Sequence, residues 1–178
     1  MQNWLIVDEK YLDALRRNVE SRIPLSEYGP DKYKPFFGIL FEQGELLYVT
    51  QISHPQSRHK TLKNSLDFKK IFVPDKDSSK ADRLIAVVNL NYMFPIHKSL
   101  VNDLEYKDIE KYRTFLSLQE KSKYIDLLRT ELNIINSLKL EDAAKKIYYL
   151  KQTNPENRVA QRCFDFLKLE EYALKYVE

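Results

Sequence analysis

Phe36-Phe37-Gly38-Ile39-Leu40-Phe41, followed across Gln43-Gly44 by Leu46-Leu47-Tyr48-Val49-Thr50-Gln51-Ile52, sets the architecture of this chain. A compact aromatic and aliphatic run, a Gln-Gly turn and a second apolar run read as the two strands of a hairpin. The second run alternates, which predicts Leu46, Tyr48, Thr50 and Ile52 on one side. Working outward, Trp4 to Val7 is a short apolar strand. Asp8 caps a helix from Glu9 to Val19 with Leu12, Leu15 and Val19 inward. Pro24, Gly29 and Pro30 make the next stretch a loop. Phe68 to Val73 is a strand, Asp75 to Ser79 a polar turn, and Leu84 to Leu90 a buried central strand.

Beyond Val101 the period becomes helical. Tyr124, Leu127, Leu128, Leu132 and Ile135 form one stripe, and Leu140, Ala143, Ala144 and Ile147 another. Asn154-Pro155-Glu156 reads as the start of a last helix lined by Val159, Cys163, Phe166, Leu167 and Leu174, which makes Cys163 a core residue. Strands first and helices after predict an α+β domain with a mostly antiparallel sheet. The whole chain, 1–178, reads as one domain, with a strand-rich part over 1–104 and a helical part over 105–178.

Composition narrows the function classes. The chain is 43% hydrophobic and 31% charged, too apolar for disorder, and no run approaches the length of a membrane span. The first residues lack a secretory signal, and the single cysteine forbids an internal disulfide or a CxxC zinc site, which fits a cytoplasmic location. Phosphate loops, dinucleotide fingerprints, HExxH and GxSxG are absent. No cofactor or metal is expected.

Charge is concentrated in one place. Between Ser53 and Lys70 stand Arg58, Lys60, Lys63, Lys69 and Lys70 against the single anion Asp67, a local excess above the +3 of the whole chain. His54 and His59, two of the three histidines, lie in the same stretch. The plain reading is a solvated connection between strands with Pro55 setting the turn; the alternative is a phosphate-binding patch with groups suited to proton transfer. His97, beside Pro95 and Ile96, reads as local structure, and Met93 as core.

Lys34-Pro35-Phe36-Phe37-Gly38-Ile39-Leu40-Phe41, then Tyr48, then Ser53-His54-Pro55 through His59, resembles the core of the ToxN/AbiQ toxins. There a "KPFIGI"-like strand leads to a loop of the form (Ser/Thr)-Ser-Pro-Lys-x-x-His. Val88-Asn89-Leu90-Asn91-Tyr92-Met93-Phe94-Pro95-Ile96 is similar to the family's "INLNFMIPV" signature, and Lys10-Tyr11-Leu12 to its first helix. The resemblance spans residues 4 to 104. It implies a twisted antiparallel sheet related to the Kid and MazF barrels, surrounded by helices. It also implies metal-independent cleavage of single-stranded cellular or phage RNA, leaving 2′,3′-cyclic phosphate and 5′-hydroxyl ends. The implied partner is an RNA antitoxin of pseudoknot repeats in a protein–RNA assembly, and the implied outcome is growth arrest and abortive phage infection.

One departure bears on the chemistry. His54 and Gln56 stand where the family has a second hydroxyl and a lysine, while Ser53 and His59 keep their counterparts. Either the chain is a divergent, CptN-like branch with rearranged catalytic groups, or it is a weakened enzyme. With what remains, His54 is expected as general base or acid, Lys34 and Arg58 or Lys60 as phosphate holders, and Ser53 as a donor to a non-bridging oxygen. Tyr11 is expected at the base or sugar, or as a packing residue for the first helix. Gln56, His59, Lys60, Lys63, Lys69 and Lys70 are expected to contact RNA. Two rivals remain: a non-catalytic RNA-binding protein on the same scaffold, and a protein-interaction module supplied by 12 tyrosines and 9 phenylalanines.

Overall fold

A computed structural model describes residues 1–178. The chain runs β1 (Asn3–Val7), α1 (Glu9–Asn18), β2 (Phe36–Gly38), β3 (Glu42–Gln43), β4 (Leu46–Val49) and β5 (Ile52–Ser53). It continues through α2 (Ser57–Thr61), β6 (Phe68–Val73), β7 (Arg83–Asn89), β8 (Phe94–His97) and β9 (Val101–Asp103). Four helices follow: α3 (Leu118–Ser137), α4 (Leu140–Thr153), α5 (Arg158–Arg162) and α6 (Phe166–Tyr176). The class is α+β, and the strands divide into three small antiparallel sheets ordered β2-β1-β9, β3-β4-β8 and β5-β7-β6.

Two of the three sheets are stitched at one corner. Phe37 and Thr50 exchange backbone hydrogen bonds of 2.8 and 3.1 Å, joining β2 to the end of β4. Gly38 sits where that approach is closest: a Cβ there would lie 3.0 Å from Val49 Cγ1 and 3.2 Å from Leu5 Cδ1. Gly44 turns the β3–β4 hairpin at φ +61°, a conformation glycine adopts without steric cost. Asp8 accepts the Tyr11 N–H at 2.9 Å and caps α1 as the sequence predicts.

The predicted alternation of β4 does not hold. Leu46, Leu47, Tyr48 and Val49 are all buried, because β8 pairs along one edge while α6 covers the sheet. Tyr48 shows why a strand can be apolar on both faces. Its ring stacks on Phe41 at 4.3 Å and meets Tyr148 and Phe166, and its hydroxyl donates to Glu170 at 2.8 Å. Burying each such side chain contributes about 1.5–3 kcal/mol.

The helical part differs in its last element. Pro155 lies in a turn, Asn157 rather than Asn154 caps the next helix, and that helix ends at Arg162. A break at Cys163–Asp165 then precedes α6, capped by Asp165 accepting from Lys168. Leu169 and Ala173 are the buried face of α6, while Leu167 and Leu174 are exposed. Cys163 is buried, its thiol pushed up to about 11 by burial. Met93 is buried too, and His97 engages only Ser99 in its own turn. α3 is the helix that shapes the site: the Trp4 indole N–H donates to Leu128 O at 2.9 Å, fixing α3 against β1.

Candidate active site

The site begins where the chain leaves one sheet for another. After β4, Gln51 donates from Nε2 to the carbonyls of Leu25 and Lys34, both at 2.8 Å. That amide ties the loop before β2 to the strand end. Within the loop, Lys34 N–H donates to Ser26 O and Tyr28 N–H to Lys32 O, forming a small hairpin with Tyr28 near its tip. The Lys34 ammonium lies 5.3 Å from the centre of the Tyr28 ring, within cation–π reach.

β5 then delivers the polar loop. Ile52 and Ser53 pair with Val88 and Val87 of β7, the central strand of its sheet, so Ser53 is set by a rigid ladder. His54 and Pro55 follow, and α2 begins at once. The stretch that reads as a solvated connection between strands therefore contains a helical turn, held by His59 Nδ1 accepting the Gln56 N–H at 3.0 Å.

Lys34, Ser53 and His54 open onto one cavity of about 870 Å³. Lys34 and Ser53 also border a smaller hollow of about 230 Å³, with Tyr28 common to both. His54 is exposed at the mouth. Desolvation against the cavity wall, and then the charge of Lys34, lowers its imidazole pKa below the ordinary value. A neutral imidazole, an ammonium and a hydroxyl thus share one opening. That set can take a proton, hold an anion and donate a hydrogen bond.

Other expected residues are placed differently. Tyr11 is fully buried, its hydroxyl donating to Pro95 O at 3.0 Å and its ring edge on Tyr176; it borders neither hollow. His59 is buried against Phe68, with its pKa lowered first by desolvation and then by Arg58 and Lys70. It anchors α2 by accepting a backbone N–H. Gln56, Arg58, Lys60 and Lys63 are exposed along α2 and the loop after it, and Lys69 and Lys70 are half-buried on β6. These six lie outside both hollows. The one anion of that segment, Asp67, is turned away from it, paired with Arg162 at 2.7 Å and accepting from Ser65 at 2.9 Å. No three His, Cys, Asp or Glu side chains converge as a metal-binding group.

Several site residues escape the sequence reading. Tyr28, Trp4 and Glu131 border the large cavity, and Arg22, Asn89 and Tyr92 the small one. Glu131 left a usable signal. It falls three residues after Leu128 and four before Ile135, on the inward face of α3, so helical spacing marks it as an acid in an apolar stripe.

Comparison with known proteins bears on all of this. No curated protein matches the sequence significantly. One solved structure, from work on selective toxin inhibition by a non-coding RNA pseudoknot in bacterial type III toxin–antitoxin systems, shares 21% identity and a TM-score of 0.70. It covers 99% of this chain and 98% of that one. Another, from work on a processed non-coding RNA that regulates a bacterial antiviral system, shares 19% identity over 99% of both chains at 0.72. AbiQ, a lactococcal anti-phage endoribonuclease of a type III system, shares 17% identity at 0.67, over 99% of this chain and 98% of its own. At these identities the likeness is one of fold. The family model described as toxin ToxN, type III toxin–antitoxin system, matches residues 3–174, and on that match the chain belongs to the ToxN toxin family.

Proposed function

We propose that this toxin is an endoribonuclease that cleaves single-stranded RNA by transesterification, without a metal, and is held inactive by a folded RNA antitoxin. The observation that carries the reading is the meeting of Lys34, Ser53 and His54 at the mouth of one cavity, in a chain of the ToxN toxin family. Metal-free cleavage of RNA needs a base for the 2′-hydroxyl, positive charge for the phosphorane and an acid for the departing 5′-oxygen. His54, kept neutral by its surroundings, takes the 2′-hydroxyl proton. Lys34 offsets the developing charge, and the Ser53 hydroxyl donates to a non-bridging oxygen. The imidazolium, or a nearby water, then protonates the leaving oxygen. The basic face along α2 and β6 extends the phosphate path beyond the reacting bond. The whole chain acts as one functional unit in this reading, in the cytoplasm, where messenger RNA and antitoxin are both found.

The test is direct. Purified toxin, freed of nucleic acid, is incubated with mixed-sequence RNA in EDTA and the product ends are mapped. Cyclic phosphates and 5′-hydroxyls are expected, with a loss of at least about 100-fold in His54→Ala. No cleavage by the wild type, or cleavage only with added magnesium, defeats the proposal. One observation favours a second reading, a non-catalytic RNA binder: exposed, neutral Gln56 occupies the family's lysine position. Tight, salt-sensitive RNA binding with no products would select it.

A further inference from the structure

Gln51 is a buried polar residue at a joint, and the cleavage chemistry does not itself use it. It is 9% exposed and stands between β4 and β5, two residues before Ser53 and three before His54. The backbone is fixed on both sides of it. Thr50 exchanges hydrogen bonds with Phe37, and Ile52 and Ser53 pair with Val88 and Val87 of β7. From this fixed point the side chain reaches across to another segment. Nε2 donates to Leu25 O and to Lys34 O, both at 2.8 Å, so both amide hydrogens are used. Those two carbonyls stand at the two ends of one excursion of the chain, which Lys34 N–H closes across its base by donating to Ser26 O at 2.8 Å. A primary amide offers two hydrogens from one neutral atom, which a hydroxyl or a carboxylate cannot do.

We propose that Gln51 is a positioning residue, whose amide sets the Lys34 ammonium in register with Ser53 and His54. The inference rests on the nuclease reading and names the joint on which that site depends. Ser53 leaves a β-ladder and carries His54 with it, whereas Lys34 ends a loop whose own ladder is the single bridge between Glu27 and Tyr33. The other ties on this loop lead elsewhere. Thr114 N–H donates to Pro30 O and the Tyr124 hydroxyl to Tyr33 O, both at 2.7 Å, which joins the loop to α3 and the segment before it. On the following side β2 holds the chain from Phe36 onward, but Pro35 has no N–H to give. The Lys34 backbone is therefore held by Ser26 within the loop and by Gln51 from the strand that carries Ser53. The Tyr28 ring, 5.3 Å from the ammonium, then steadies the charged end from the loop side. Without the amide, two part-buried carbonyls lose their donor, the loop end moves to regain one, and the ammonium moves with it. A displacement of about 1 Å at a reacting group can cost about 100-fold in rate.

Gln51→Met keeps the length of the side chain and removes the donor, and Gln51→Asn restores an amide one methylene short. The first readout is the His54 imidazole midpoint by NMR, which Lys34 helps to hold down and which needs no cleavage. Gln51→Met is expected to raise it in the otherwise wild-type toxin and to leave it unmoved in Lys34→Met. Asp31 and Lys32 share the loop and the cavity but stay in both backgrounds, so the comparison isolates Lys34. The second readout is RNA cleavage. Gln51→Met is expected to lower kcat about tenfold or more with KM little changed, and Gln51→Asn to recover part of the loss. Combined with Lys34→Met it should add nothing to the loss from Lys34→Met alone. An unmoved midpoint in Gln51→Met, or an equal rise in both backgrounds, overturns the proposal. Circular dichroism checks folding. Should neither variant fold, hydrogen exchange of the Gln51 side-chain amide in the wild-type toxin decides: protection is expected, and exchange at the rate of a free amide overturns the proposal. The nuclease reading is scored separately. A shifted midpoint in a toxin that cuts no RNA sinks that reading and keeps the joint, whereas an active nuclease with an unmoved midpoint sinks the joint alone.

Discussion

At the scale of single residues, the site is governed by where imidazole and carboxyl groups meet water. His54 carries a lowered pKa, chiefly by desolvation and secondarily by Lys34, so as a base it stays unprotonated further into acid than a free histidine. The acid limb of the cleavage rate is therefore expected below pH 6.5, where an unperturbed imidazole would place it. Imidazole proton shifts measured by NMR give the same midpoint independently. Lys34→Met removes the repelling charge and moves that midpoint upward; a midpoint unmoved by the change would show that Lys34 is not felt at His54. Glu131 shifts the other way. Its folded pKa of about 7 exceeds the 4.5 of an unperturbed glutamate, so between those values the unfolded chain has lost the proton that the folded chain keeps. Unfolding free energy thus falls as pH rises through that window, by about 3 kcal/mol from this group. Urea melts of wild type and Glu131→Gln from pH 4.5 to 8 should diverge by that amount, and parallel curves would refute the shift. The residue types of the Ser53–His59 loop were legible in the sequence, because histidine and arginine announce their chemistry wherever they stand. Tyr28 was not legible, since only packing distinguishes a ring facing a cavity from one facing solvent, whereas Glu131 was passed over although its spacing between Leu128 and Ile135 marks it as inward.

At the scale of elements, the strands were readable and the joints less so. β6 and the capped start of α1 follow from apolar period and an Asx cap, which are local signals. The alternation expected of β4 failed because α6, over a hundred residues later in sequence, covers the face that a half-buried strand would leave wet. Leu167 and Leu174 were misassigned for a related reason. The break after Arg162 resets the phase of the helix, so a stripe drawn through one continuous helix rotates off the core. Two joints allow definite tests. Lys139 links α3 to α4 at φ 48°, a left-handed conformation that a Cβ disfavours. Lys139→Gly should stabilise the protein by about 1 kcal/mol and raise Tm by roughly 2–4 °C. Thermal melts decide it, and a lower Tm would mean that the lysine side chain holds the joint. Asp67 ties the basic segment to α5 through Arg162 and to Ser65. Asp67→Ala should cost about 1–3 kcal/mol by denaturant melt, most of it from the buried bonds and little from the half-exposed guanidinium.

At the scale of the whole molecule, charge is separated from chemistry. The reacting groups open on the large cavity, while Lys60, Lys63, Lys69 and Lys70 lie outside both hollows along α2 and β6. Their only acidic neighbour in sequence is spent on Arg162, so the face keeps its full positive charge. Such a face binds phosphates by releasing counterions, and its contribution is read from salt dependence. A molecule built this way should divide RNA binding into two parts: a local part at the reacting groups and a distributed, sequence-blind part over the basic face. Replacing all four lysines by glutamine should therefore flatten the plot of log affinity against log salt for a long single-stranded RNA by about three units of slope, at roughly 0.7 per phosphate contact. Each contact removed should weaken every sequence alike. Filter binding between 50 and 400 mM salt measures both quantities. An unchanged slope would mean that RNA does not run over this face. A change in sequence preference would mean that these lysines read bases as well as phosphates.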